Sequence, residues 1–396
     1  PMHADRIYAV LRELNEVHGK TIIVIEHHTE YIADFCRHVL LMKDGRVQWM
    51  LPTREALQRV DELEDCNIFP PQVTQAAHRL RKLGRLPENA PLPTTVEEGE
   101  AAFSGLRYAP RKTPRPAASA AAESAVSFRD VRLSYRSVKG EPRTVFDGLN
   151  LDIRQGEKVA LIGSNGAGKS TLMKLMVGLL RPQSGTVSLL VESIGAKKAE
   201  DLARYISLVY QNPEEMFIKD SIRADIAYAM QVRGISDWQQ RTDALLERFR
   251  LTAIRDRDGR LMSGGQMRRA SLAIGVALEP SVLLLDEPTA NLDIATRREI
   301  IGVLEEMKEI IGTAVIATHD MQLVCQWAQR IIVLSGGRVV ADGTRDEIFS
   351  RRDLEELVGI RPPEIFSMAR ALDAEALCYT IDEFTECFQE EKEWKN

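Results

Sequence analysis

No stretch of this chain approaches the roughly 20 consecutive apolar residues that cross a bilayer. Its longest apolar runs, such as residues 21–25 and 281–285, are strand-sized. A role at a membrane is therefore expected to be exercised from the cytoplasmic face, through a partner. Positive charge is also in short supply. The 52 Lys and Arg are outnumbered by 58 Asp and Glu, and a net charge of -6 leaves no broad basic surplus to displace counterions, so nucleic acid is not expected as a partner. Cysteine is sparse and unpatterned: Cys36, Cys66, Cys325, Cys378 and Cys387 show no CxxC spacing. That argues against a thiolate metal centre or a disulfide framework and fits reduced thiols. What is present, 44% hydrophobic and 28% charged residues over 396 positions, suits a globular protein long enough for two cores.

The chain repeats itself across nearly three hundred residues. Ile7, Val10, Leu11 and Glu13 match Ile300, Val303, Leu304 and Glu306; His27 matches His319 and Gly45-Arg46-Val47 matches Gly337-Arg338-Val339. Pro70-Pro71 matches Pro362-Pro363, and Leu80 matches Leu372, with the register shifting by one residue near Lys20. Pro1 falls opposite Ile294, so the first copy is expected to be the C-terminal part of a domain whose second copy is whole, and the chain a piece of a longer tandem protein. Residues 1–103 are expected to carry a helix at 6–14, a strand at 21–25, a helix at 30–36 and a strand at 39–42, with an unpaired strand edge. His28 falls opposite Asp320 and reads as a surface residue. Residues 104–125, rich in Pro, Ala and Ser and carrying Arg107, Arg111, Lys112 and Arg115, read as a solvated linker. The complete domain is expected at 126–358, with a C-terminal extension at 359–396.

The strongest chemical signal is Gly163-Ser164-Asn165-Gly166-Ala167-Gly168-Lys169-Ser170-Thr171. It follows the apolar run Val159-Ala160-Leu161-Ile162 and precedes a helix predicted over 170–180. A strand, a glycine loop and a helix in that order aim backbone N–H groups and a helix N-terminus at phosphates; Lys169 adds a point charge and Ser170 a hydroxyl for Mg2+. Downstream, Ser263-Gly264-Gly265-Gln266 opens another helix, with serine as a favoured cap and two glycines allowing close approach to an anion. A third segment, Val282-Leu283-Leu284-Leu285, ends in Asp286-Glu287. Paired carboxylates at a strand end suit phosphoryl transfer, one holding the metal and its neighbour addressing the attacking water. Together these three point to ATP binding and hydrolysis.

In the order and spacing of these motifs, residues 126 to about 350 resemble the nucleotide-binding domain of ATP-binding-cassette (ABC) proteins. The resemblance implies an α/β P-loop NTPase fold with a helical signature subdomain and an antiparallel β-subdomain, preceded here by the C-terminal part of a second such domain. It implies that Tyr135 stacks on adenine and that Gln211 reaches Mg2+ and the attacking water. Ser263 to Gln266 would cap the γ-phosphate of ATP held by another domain, Asp286 would meet the metal, and Glu287 the water. Asn291-Leu292-Asp293 matches the loop that couples two such sites, and His319 the histidine that contacts the γ-phosphate. His27 would be the corresponding histidine of the first copy.

Within that family, Gln211-Asn212-Pro213-Glu214-Glu215-Met216-Phe217 resembles the ATPases of energy-coupling-factor (ECF) importers, which take up vitamins and metals. The duplicated Pro-Pro extensions, each followed by a Thr-x-x-Glu stretch at 95–98 and 380–383, are similar to the same branch. The implied partners are a membrane scaffold (the T component), a substrate-binding membrane protein and a second ABC ATPase domain. The scaffold would be gripped by the helical stretch 220–251, at the cytoplasmic face of the membrane. Two alternatives stand beside this reading: a sugar-type tandem importer ATPase and a soluble ribosome-associated tandem ABC ATPase.

Overall fold

Strands buried on both faces must be apolar at every position, whereas half-exposed strands alternate. That difference sorts the strands between residues 124 and 343 into two sheets. The computed structural model describes residues 2–26, 28–110, 122–136, 140, 142–308 and 310–390. Residues 115–292 with 296–360 form one compact unit, and residues 1–114 with 293–295 and 361–396 form a second.

The larger unit begins with β1 (Ser124–Arg136), β2 (Pro142–Arg154), β3 (Lys158–Gly163), α1 (Lys169–Met176), β4 (Ser184–Leu189), β5 (Glu192–Ser193) and β6 (Ile206–Val209). It continues with α2 (Ile222–Val232), α3 (Trp238–Arg248), α4 (Gly264–Val276), β7 (Val282–Asp286) and α5 (Ile294–Met307). Next come β8 (Thr313–Ala317), α6 (Met321–Trp327), β9 (Arg330–Ser335) and β10 (Arg338–Gly343). A six-stranded sheet runs β10-β9-β3-β8-β7-β6, parallel except for the terminal β10, while β2-β1-β4-β5 form an antiparallel sheet.

The two-residue period of the central strands divides the core. Ala160, Ile162, Leu283, Leu285 and Ile316 pack with Leu272, Ile300 and Leu304 on one face. Val159, Leu161, Leu284 and Val315 pack on the other with Leu172, Leu175 and the antiparallel-sheet residues Phe128 and Val187. Helix α1 is shorter than the predicted 170–180. It stops at Met176 because Gly178 takes the left-handed conformation (φ 71°) that ends a helix.

In the smaller unit the helices Met2–Glu16 and Thr29–Phe35 and the strand His38–Lys43 overlap the expected elements, and His38–Lys43 pairs antiparallel with a strand outside those expectations, Arg46–Pro52. The predicted strand at 21–25 does not form. Its counterpart β8 is held between β3 and β7, whereas among the described residues no strand pairs with 21–25. Without a ladder partner the segment leaves Ile23 and Ile25 89% and 92% exposed, against 1% and 0% for their counterparts Val315 and Ala317. The expectation for His27, and the part of the predicted linker at 111–121, lie outside the described residues.

The two Pro-Pro extensions fold together inside this unit, residues 361–396 grouping with 1–114. Val73, Ala77, Leu80 and Phe103 from the first extension pack with Ile365, Met368, Phe384 and Phe388 from the second. The pairing is pseudo-symmetric. The Val73 N–H donates to Glu364 Oε2 at 3.2 Å, and the Ile365 N–H donates to Gln72 Oε1 at 3.0 Å. Strand Leu106–Tyr108, within the predicted linker, pairs antiparallel with Phe388–Glu390. Each Thr-x-x-Glu stretch is a helix start: Thr95 and Thr380 accept from the N–H groups of Glu98 and Glu383.

Candidate functional site

All the parallel strands of the larger unit end at one sheet edge, and the predicted phosphate chemistry collects there. The loop 163–168 leaves β3 and enters α1 through Gly168, whose φ of 106° is left-handed. A Cβ at Gly168 would sit 2.9 Å from the Phe146 ring, and one at Gly163 would sit 2.2 Å from the Leu334 carbonyl oxygen. Both positions exclude a side chain, which keeps the loop backbone free to face a ligand. Lys169 folds back over this loop, its Nζ donating to the carbonyls of Gly163 (2.7 Å) and Ser164 (3.3 Å). Burial pulls its ammonium below the ordinary lysine range, opposed by the carboxylates of Glu287 and Asp286. Ser164, Asn165, Gly166 and Ala167 complete the loop, and Ser170 and Thr171 form the first turn of α1.

Strand β7 brings in the acids. Burial raises the Asp286 carboxyl, while the Ser170 hydroxyl hydrogen-bonds it and Lys169 draws it down. Glu287 is left-handed (φ 48°) and nearly buried, and its N–H donates to the Ala317 carbonyl at 2.8 Å. That bond turns the chain onto the end of β8, where His319 stands. His319 Nδ1 lies 2.8 Å from Glu287 Oε2, and the His319 N–H reaches the same oxygen at 3.3 Å. The hydrogen bond to Glu287 raises the imidazole above its ordinary range, against a smaller opposing effect of burial.

The register extends the site to the last strand. Val209 pairs with Leu285, so Tyr210 and Gln211 leave the sheet beside Asp286 and Glu287. Tyr135, at the end of β1, is 41% exposed, with its hydroxyl 3.4 Å from Thr171 Oγ1. Ser263 caps α4 with a reciprocal pair of bonds to Gln266, and Gly264 and Gly265 form the first turn. A Cβ at Gly265 would meet Thr296 at 2.5 Å, so this glycine lets the helix tip sit against α5.

The phosphate loop, Asp286, Glu287 and His319 are thus joined by direct contacts, with Gln211 at the neighbouring strand end. Sequence reasoning missed Arg268, a fully buried arginine on α4. Its neighbour Arg269 is also largely covered, its side chain 12% exposed and paired with Glu299 at 2.7 Å, so what sets Arg268 apart is the pair of carbonyls it meets.

A buried P-loop lysine, a strand-end acid pair and a capped signature helix on a parallel sheet define a P-loop NTPase of the ABC cassette type. Residues 146–290 match the family model described as ABC transporter. The energy-coupling factor transporter ATP-binding protein EcfA1 of Lacticaseibacillus paracasei is 37% identical over 226 residues, 56% of this chain and 81% of that protein. A Methanosarcina acetivorans protein with an ABC transporter ATP-binding name is 30% identical over 378 residues, 92% of this chain and 61% of that relative's length. Among solved structures, cbiO1 from Clostridium perfringens, part of the ABC transporter complex cbiONQ, aligns with a TM-score of 0.51 and 30% identity, covering 61% of this chain and 97% of that one. The chain belongs to the ABC transporter ATP-binding protein family.

Proposed function

We propose that this chain is the ATP-hydrolysing subunit of an ECF-type importer, working at the cytoplasmic face of the membrane with a scaffold and a substrate-binding membrane protein. The observation that carries the ATPase part is the contact between Glu287 and His319 beside the buried Lys169 and Asp286. The importer part rests on the resemblance of residues 211–217 and of the paired extensions, together with the likeness to EcfA1 and cbiO1.

The residues present suit Mg2+ and ATP. Mg2+ takes one or two carboxylates, a hydroxyl and phosphate oxygens rather than a cage of side chains. Asp286 and Ser170 supply the first two, with the Gln211 amide as a further ligand, and the buried carboxyl of Asp286 is a charge that a cation would relieve. Bound Mg2+ would neutralise phosphate charge. The protein's own part is positional. Lys169 and the N–H groups of 163–171 hold the phosphates, and Tyr135 offers a ring to the adenine. Glu287 takes a proton from water, and His319 holds the Glu287 carboxylate in orientation while meeting the γ-phosphate. Ser263 to Gln266 face the ATP of a second domain.

Two measurements test this. Turnover per chain should rise with protein concentration as complete copies pair, and co-expression with candidate scaffold proteins should yield a membrane complex. A monomer with concentration-independent turnover would refute the shared site. Sedimentation with ribosomes instead of membrane proteins would refute the importer.

A further inference from the structure

The least expected side chain in the larger unit is Arg268. It is 1% exposed on the inner face of α4, five residues after the helix cap Ser263. Its guanidinium fork donates from Nη1 to the Tyr210 carbonyl at 2.9 Å and from Nη2 to the Gln211 carbonyl at 2.7 Å. The buried Nε has no hydrogen-bond partner among the described residues. Burial pushes the guanidinium down to about 10, against the pull of Asp286. A buried cation is costly unless its surroundings answer it. Here the answer is two successive backbone carbonyls and the field of the acid at the neighbouring strand end.

The same helix touches this strand a second time. A Cβ on Gly275 would lie 2.4 Å from the Val209 side chain, so α4 packs directly on β6. The Arg268 bonds lie beyond the end of the strand, where the chain leaves the sheet ladder. Tyr210 and Gln211 are not part of any strand or helix. A planar fork with two parallel donors sets the orientation of both peptides, which a single ammonium does not.

We propose that Arg268 is a positioning residue: it ties the Tyr210 and Gln211 carbonyls to the signature helix, so that the Gln211 side chain meets the Asp286–Glu287 edge only while α4 is seated. The inference rests on the ATPase reading. Arg268 touches no substrate. Its effect passes through the direction in which Gln211 leaves β6, and any shift of the Ser263 tip is transmitted to Gln211 through this fork.

The test compares Arg268→Met and Arg268→Lys with the unmodified chain in ATP turnover, in affinity for a slowly hydrolysed ATP analogue, and in amide exchange. Arg268→Met should lower kcat at least tenfold while KM for ATP stays within about threefold, because the phosphate loop is untouched. Exchange should quicken at 211–217 and stay unchanged at 163–176. Arg268→Lys keeps the charge and one carbonyl bond, so its kcat should be intermediate. A kcat for Arg268→Met within twofold of the unmodified chain overturns the proposal, and so does a kcat for Arg268→Lys equal to that of the unmodified chain. So does a parallel loss of analogue affinity and of protection at 163–176, which marks a merely structural role. If Arg268→Met does not fold, the kcat and KM of Arg268→Lys decide. If the unmodified chain hydrolyses no ATP, the ATPase reading fails, and the exchange pattern alone still decides whether Arg268 holds 210–211.

Discussion

Replacing Glu287 by glutamine separates binding from chemistry at this site. Glu287 Oε2 accepts from His319 Nδ1 at 2.8 Å and from the His319 N–H at 3.3 Å, and a glutamine amide oxygen can keep either bond. The local fold should survive, with a stability change within about 1 kcal/mol. Phosphate binding should hold or tighten, because one negative charge near Lys169 and the phosphates is removed. What an amide does not do is take a proton from water. General-base catalysis contributes roughly 10²–10⁴ in rate, equivalent to about 3–5 kcal/mol of barrier. Steady-state phosphate release should fall by that factor while ATP affinity stays equal or rises. The histidine supplies a second readout. The hydrogen bond to Glu287 raises His319, so in the variant the imidazole should lose its proton at lower pH, visible by NMR titration. Turnover within tenfold of the unmodified chain, or loss of ATP affinity together with turnover, would refute the assignment.

Lys169→Ala should act on the other half of the division, weakening nucleotide binding itself, with direct titration as the check; unchanged affinity would remove Lys169 from the site. Glu364, in the paired extensions, is pushed up to about 8 by burial first and then by repulsion from Glu30, with Asp34 adding to it and the Val73 and Gln72 N–H groups opposing. An acid raised in the folded state contributes stability that is complete below its ordinary value of 4.5 and is lost as pH climbs through about 8. The smaller unit should therefore weaken between pH 5 and 9, by at most a few kcal/mol. Glu364→Gln, which copies Gln72 at the mirrored position, should flatten that slope in amide exchange of helix Glu364–Leu372; an unaltered slope would show that Glu364 does not cause it.

Much of the larger unit was legible from local pattern. Glycine spacing at 163–168, the cap Ser263 with Gln266, and the apolar run into Asp286 each encode a conformation within a few residues. The chain has little freedom there: a left-handed glycine or a capped first turn is specified by the residues themselves. The Thr-x-x-Glu stretches became helix starts for the same reason. The helix predicted to 180 ran too far because apolar periodicity carries past Met176, and Gly178 stops it.

Tertiary structure decided the rest. Residues 21–25 have the composition of a central strand, and their repeat counterpart is one, yet a strand exists only through its neighbours, and among the described residues none pairs with this one. Nothing local distinguishes Arg268 from the adjacent Arg269. Its burial follows from the face α4 turns toward β6, and its role from two carbonyls nearly sixty residues earlier in the chain. The Glu287–His319 contact likewise depends on β7 and β8 ending side by side. The pairing of the two extensions depends on a meeting of residues 291 positions apart at Val73 and Glu364. Sequence determines what each residue can do chemically and which short turns it must make; which residues meet is set by sheet order and helix packing, since contact free energies between distant segments are realised only in the folded chain.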